Sequence, residues 1–358
     1  MYDYFASPDP MFNDIQSSGL FDKIEQMIKD KIEVEKEQKK YSNEAEYEKD
    51  PNSEEDWETR IADQIMKIVK ERICPLIHLN CPPQINCQQC INIPHSPALQ
   101  ELKSAIFQNL FNVSKNNQQF IDILVNDHNI IPHLTHPLIQ FASESQLKKK
   151  TNSQVQHDQQ QTESSSSISL ITSSINLLDD LINNNKCKVV INTPNVLRSL
   201  CTLSGYKINI HFSQENDQQT FAVRHSSRGC LWQIQFWGDA SVQTELVNAR
   251  YVRVLVIAIS TASGSGEEQD DEINGRLLRI SKFLRHLHQG DYSFPPQPLL
   301  VRRSVEQIEE EGGNEEIDSQ LIKKKSNYNI KTIRNEAKGR ILNYFIEQGN
   351  TRPDWYNL

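Results

Sequence analysis

Apolar residues recur at three- and four-residue steps through the first part of the chain, which is the period of an amphipathic helix. Phe21, Ile24, Met27, Ile28 and Ile32 make one such stripe inside an acidic extension, residues 1–52. Trp57, Ile61, Ile65, Ile68 and Ile73 make a second, behind Ser53 as cap and Glu54, Glu55 and Asp56 at the positive end of the dipole. After a Pro- and Cys-rich connector, Ser96-Pro97 opens a third, with Leu99, Leu102, Ile106, Leu110 and Val113 on its buried face. Phe120, Ile121, Leu124 and Val125 mark a fourth, and Pro132 opens a short fifth reaching Phe141. Residues 53–145 therefore read as a helical domain. The Lys-, Gln- and Ser-rich stretch 146–167 reads as a disordered linker, because it has too little apolar surface to offset its chain entropy.

Beyond residue 168 the period changes to two. Tyr206, Ile208, Ile210 and Phe212 alternate with Lys207, Asn209 and His211, and Trp232, Ile234 and Phe236 alternate with Gln233 and Gln235. Strands are expected at 187–192, 206–212, 220–224, 231–237 and 251–259, with turns at Gly205, Asn216-Asp217, Ser226 to Gly229 and Gly238-Asp239. This makes 168–290 a β-rich domain. The fold class expected is a multidomain α+β protein: a helical amino-terminal domain followed by an antiparallel β-sandwich. An amphipathic helix over 273–287 packed on a sheet is the competing reading of the last segment. Residues 291–358 read as a Pro-rich and acidic connector ending in a helix.

Two family resemblances fit this division. Tyr206-Lys207-Ile208-Asn209-Ile210, then Gly229-Cys230-Leu231-Trp232-Gln233-Ile234-Gln235-Phe236, then Ala249-Arg250-Tyr251-Val252-Arg253 and Asn274-Gly275-Arg276 resemble discoidin-type, galactose-binding-like sandwiches over residues 168–285, most similar to the DOC branch. That resemblance implies a ligand- or protein-binding sandwich, and its DOC branch a substrate-recognition component of a ubiquitin ligase. The run from Ala105-Ile106-Phe107 through Asn117, Phe120 and Ile130-Ile131-Pro132 resembles one armadillo repeat, near 99–141.

Composition narrows the function. Hydrophobic residues make up 37%, mean hydropathy is -0.60, and 47 acidic against 38 basic residues leave a net charge of -9. Nucleic acid is thereby disfavoured as the main partner, since phosphate binding needs clustered cations. No apolar run approaches the roughly 18 residues that cross a bilayer, and Met1-Tyr2-Asp3-Tyr4 begins no secretory signal. Seven cysteines without a repeated spacing fit a reducing compartment. The expected protein is soluble and intracellular, cytoplasmic or nuclear.

One constellation carries ligand chemistry. Cys81, Cys87, Cys90 and His95, with Cys74 and His78 upstream, offer the soft and imidazole donors that tetrahedral zinc takes, although free structural thiols satisfy the same spacing. His128, His133 and His136 lack a neighbouring acidic orienter and read as surface or capping residues. No nucleophile elbow, phosphate loop or metalloprotease motif occurs. Phe21, Ile24, Ile28, Tyr344, Phe345 and Trp355 are the expected partner contacts, because aromatic and aliphatic stripes in polar extensions suit helix docking. The function expected is a protein-binding adaptor or structural subunit without catalysis and without a cofactor, a zinc ion on Cys81, Cys87, Cys90 and His95 being the alternative to free thiols. A DOC-like ubiquitin-ligase component and a divergent enzyme are the alternatives.

Overall fold

The computed structural model describes residues 64, 66–94, 96, 98–115, 117–152, 164–208, 210, 213–260, 270–322 and 328–342. Among these residues there is no β-strand; two isolated bridges, Leu79 with Ile91 and Asp291 with Phe294, are the nearest approach to one. The described part of the chain is a helical assembly. A π-helical turn, Val69–Ile73, runs into a 3-10 turn, Cys74–His78, and an irregular segment with a second 3-10 turn, Pro83–Ile85, follows. Then come α1 (Ala98–Ser114), α2 (Gln118–Asn126), α3 (Ile130–Asn152), α4 (Ser165–Leu181), α5 (Cys187–Ile191) and α6 (Val196–Leu203). The remaining helices are α7 (Gln214–Trp237), α8 (Ala240–Asn248), α9 (Tyr251–Ser260), α10 (Asp270–Gln289), α11 (Pro298–Glu310), α12 (Gly313–Ile322) and α13 (Tyr328–Leu342).

Four helix starts follow the side-chain capping rule. Asn117 accepts from the Phe120 amide, Ser164 from Ser167, Ser213 from Asn216, and Asp239 from Ser241 and Val242. Packing centres on α4, which lies against both α1 and α7. The α1–α4 contact is lined by small hydroxyl residues: Ser104 Oγ is 3.0 Å from Ser169 Oγ and 3.2 Å from Ser173 Oγ. At its end Ser114 Oγ donates to Asp180 Oδ2 at 2.5 Å. Apolar faces of α3, α6 and α7 close one side, and α10 gathers α9, α11 and α13 on the other. Buried apolar side chains from Val69 to Ile341 join into one cluster. Each fully buried Leu, Ile or Phe among them contributes on the order of 1.5–3 kcal/mol.

The expected antiparallel sandwich is absent among the described residues: the strands expected at 187–192, 220–224, 231–237 and 251–259 fall on α5, α7 and α9, and Tyr206 to Ile208 belong to a turn. Residues 231–237, expected as a strand, are the last turns of α7, where Thr220, Val223, Ser227, Leu231 and Ile234 are buried at three- and four-residue steps. The five-residue alternation around Trp232 fits both periods, and only the longer run separates them. Asn216-Asp217, read as a turn, lies in the capped first turn of α7, and Gly229 sits mid-helix with nothing within 4 Å of where a Cβ would stand. The run Tyr251 to Ile259 is a helix apolar on most sides, as befits one enclosed by neighbours: Val252, Leu255, Val256 and Ile259 are each at most 1% exposed. With no sandwich among the described residues, the discoidin and DOC resemblance is overturned, and the ubiquitin-ligase expectation loses the resemblance it rested on. The helices expected near 99–141 are present as α1, α2 and α3, and one such unit does not make a repeat array.

No helix among the described residues is long and apolar enough to cross a membrane. Phe21, Ile24, Ile28, Tyr344, Phe345 and Trp355, the expected partner contacts, lie outside the described residues.

Candidate metal centre

Residues 74–93 fold back on themselves through asparagine. Asn80 and Asn86 take positive φ, 39° and 50°, a conformation asparagine accepts more readily than most residues. The Asn80 amide donates to Ile91 O at 2.8 Å, and the Ile91 amide returns a bond to His78 O at 2.8 Å. The Asn80 side chain locks the same loop, donating to Ile93 O at 2.8 Å and accepting from the Ile93 amide at 2.7 Å. The loop so formed brings Cys81 and Cys87 to His133 in the first turn of α3.

There four donor atoms converge. His78, Cys81, Cys87 and His133 each present one ligand atom, and all four lie within 4.8 Å of one another. His78 Nδ1 is 3.2 Å from Cys87 Sγ, and Cys81 Sγ is 3.6 Å from His133 Nδ1. Bond lengths of about 2.0–2.3 Å to zinc imply edges of roughly 3.3–3.8 Å between tetrahedral ligands. The Cys81–His133 contact lies inside that range and the His78–Cys87 contact just below it, so slight relaxation would admit an ion. Both histidines are buried, at 3% and 7% exposure, and the two cysteines are half-buried.

Outer contacts are in place too. His78 Nε2 meets His128 Nδ1 at 3.1 Å, so the ring nitrogen pointing away from the donor set is engaged, as it is in most metal-bound histidines. Cys90 Sγ accepts from the Cys81 amide at 3.2 Å and stands beside the four. Burial, with the charges of His78, Lys103 and His128 added, pulls His133 down to about 4, and burial likewise lowers His78 and His128. The imidazoles are therefore neutral at neutral pH, the form that binds metal. Burial first, then Cys87 and Cys90, pushes the Cys81 thiol up to about 12. A cation among these groups reverses that pressure and makes thiolates.

Set against family models, curated proteins and solved structures, the chain matches none. Its site is thus argued from geometry alone. Of the ligands expected from spacing, Cys81 and Cys87 stand in the donor set, Cys90 lies adjacent, and His95 is outside the described residues. Cys74 is wholly buried in the core, with its thiol raised to about 12 by burial. His133, read as a surface or capping residue, is the donor that sequence spacing missed. The available signal was the lack of a second Cys pair, which requires ligands from elsewhere, together with a histidine cluster on the next helices.

Proposed function

We propose that this chain is a non-catalytic helical scaffold that binds other proteins, with its amino-terminal region pinned by a zinc ion on His78, Cys81, Cys87 and His133. The observation carrying this reading is the closed donor set. Four protein ligands leave no coordination position for water or substrate, which is the structural kind of zinc site; catalytic zinc keeps three protein ligands and an open place. Paired thiolates and imidazoles favour zinc over the hard, oxygen-seeking magnesium and calcium.

The protein-binding half of the reading is supported at the carboxyl end of α7. Phe236 and Trp237 are 45% and 44% exposed, Trp232 stacks on Phe236 at 5.2 Å, and Phe236 meets Trp237 edge-on at 5.0 Å. Trp237 Nε1 donates to Asn183 Oδ1 at 3.1 Å, so the ridge is held in place. Ordered, exposed aromatic residues are the side chains that dominate protein interfaces. The net charge of -9 favours protein over nucleic acid as the partner.

Elemental analysis of the purified full chain tests the staple, with roughly one zinc per chain expected. Metal content near zero after expression with ample zinc overturns it. Quantitative affinity capture from the producing cells, comparing the natural chain with a Phe236→Ser, Trp237→Ser variant of equal thermal stability, tests the ridge. Proteins retained only by the natural chain support it, and identical sets from both remove it.

A further inference from the structure

A cleft of about 470 Å³ opens between the 80–85 loop, α1, α3 and the start of α4, with His133 in its wall. Its volume falls within the roughly 300–1,000 Å³ of small-molecule sites. Leu99, Phe107 and Leu170 supply an apolar wall, while Lys103, His136 and Gln140 bring polar groups to it from α1 and α3. Among the described residues no acidic side chain lines the cleft, and Lys103 is the one fixed charge there.

Lys103 is half-buried, and its Nζ donates to Asn80 O at 3.4 Å. Among the described residues it forms no ion pair with a carboxylate. An ammonium partly withdrawn from water keeps an uncompensated desolvation cost until an anion meets it. The sulfurs of Cys81 and Cys90 lie within reach of its field, but burial keeps Cys81 a neutral thiol without a metal, and a metal-bound thiolate gives up its charge to the ion.

We infer that this cleft binds a small organic carboxylate, its apolar body against Leu99, Phe107 and Leu170 and its carboxylate on the Lys103 ammonium. The assignment goes beyond the scaffold reading and does not require the zinc ion, because the wall and the cation come from α1, α3 and α4.

The test uses the full chain with its metal content recorded and three probes of one skeleton: 4-phenylbutanoate, its amide, and 4-phenylbutylamine. Saturation-transfer NMR and calorimetry are expected to show the carboxylate binding at least about ten-fold tighter than the amide, the amine not binding, and Lys103→Gln reducing the carboxylate to the amide's level. Leu99→Glu, which places a carboxylate of the protein beside Lys103, is expected to abolish binding and provides a second variant should Lys103→Gln fold poorly. Equal affinity for all three probes, no binding up to millimolar concentration, or unchanged carboxylate affinity in a folded Lys103→Gln protein overturns the assignment. So does a Lys103→Gln protein that loses metal while keeping its carboxylate affinity, which would make Lys103 a counter-ion of the thiolates. Failure of the zinc reading alone leaves the probe series unaffected.

Discussion

Cys81 Sγ and His133 Nδ1 lie 3.6 Å apart although 52 residues separate them in the chain. One donor comes from an irregular loop held by Asn80, the other from the first turn of α3. A metal joining them closes a long loop, and its binding energy becomes folding energy because the unfolded chain offers no such site. Zinc in 1,000-fold excess over its Kd is therefore expected to stabilise the chain by about 4 kcal/mol. Calorimetry with and without a chelator measures this. In His133→Ala the melting temperature should no longer respond to zinc; a response equal to that of the natural chain removes His133 from the ligand set.

Asp179 supplies a pH dependence of the opposite kind to most carboxylates. Burial first, then the neighbouring Asp180, raises it to about 6 against the opposing charge of Arg279, and its Oδ1 is shielded from solvent with no hydrogen-bond donor. The folded chain holds this proton more tightly than the unfolded chain, so stability falls as pH rises from about 4 to about 6. Asp179→Asn keeps the shape and removes the charge. It should be more stable than the natural chain at pH 7, by on the order of 1–3 kcal/mol, and nearly equal to it at pH 4. Denaturant melts at the two pH values decide it, and a variant no more stable at pH 7 contradicts the assignment.

Asp239 works in the other direction. It caps α8 by accepting from the Ser241 and Val242 amides and pairs with Lys188 at 2.8 Å. The Lys188 hydrogen bond chiefly, with Ser241 and Val242 adding, holds its carboxyl down at about 2 against its partial burial. Stability from this group is full above the unfolded carboxylate value near 4 and is lost as pH falls toward 2. Asp239→Ala should cost about 1 kcal/mol at pH 7, the usual worth of a cap. Asp239→Asn, which keeps an acceptor, should cost less and flatten the acid limb of the stability profile between about pH 4 and pH 2. An unaltered acid limb in Asp239→Asn argues that Lys188 does not hold the carboxylate.

The sequence showed the helices of the amino-terminal half better than those that follow, for a physical reason. Ile106 and Leu110 of the 99–113 stripe are buried on α1, and Phe120, Ile121 and Leu124 on α2, because these helices carry one apolar face and a cap. The later segments offered short apolar pieces broken by Gln, Asn and Gly, which a strand and a helix satisfy equally over five residues. Polar residues such as Arg224, Arg228 and Gln235 are buried inside α7, so burial there does not follow hydropathy. The metal donors divided in the same way. Cys81 and Cys87 were visible in local spacing, whereas His133 becomes a candidate only once α3 is folded against the loop.

Two glycines provide a direct check on the helical fold. Gly229 lies inside α7 with no atom within 4 Å of a Cβ position, and glycine in a helix interior costs about 0.5–1 kcal/mol relative to alanine. Gly229→Ala should therefore stabilise the chain by that amount; at a turn requiring positive φ the same change would destabilise it. Gly290 follows α10 with φ +76°, and a Cβ there would stand 2.8 Å from Phe294 O and 2.9 Å from Pro296 N. Those atoms are held by the Asp291 amide bond to Phe294 O and by the Gln297 amide bond to Leu287 O, so the backbone cannot yield without losing them. Gly290→Ala should cost more than about 1 kcal/mol, from the left-handed conformation and the collision together. Opposite signs for the two substitutions in one denaturant series support a helix across 229 and a left-handed stop at 290, and a destabilising Gly229→Ala would return residues 226–229 to a turn.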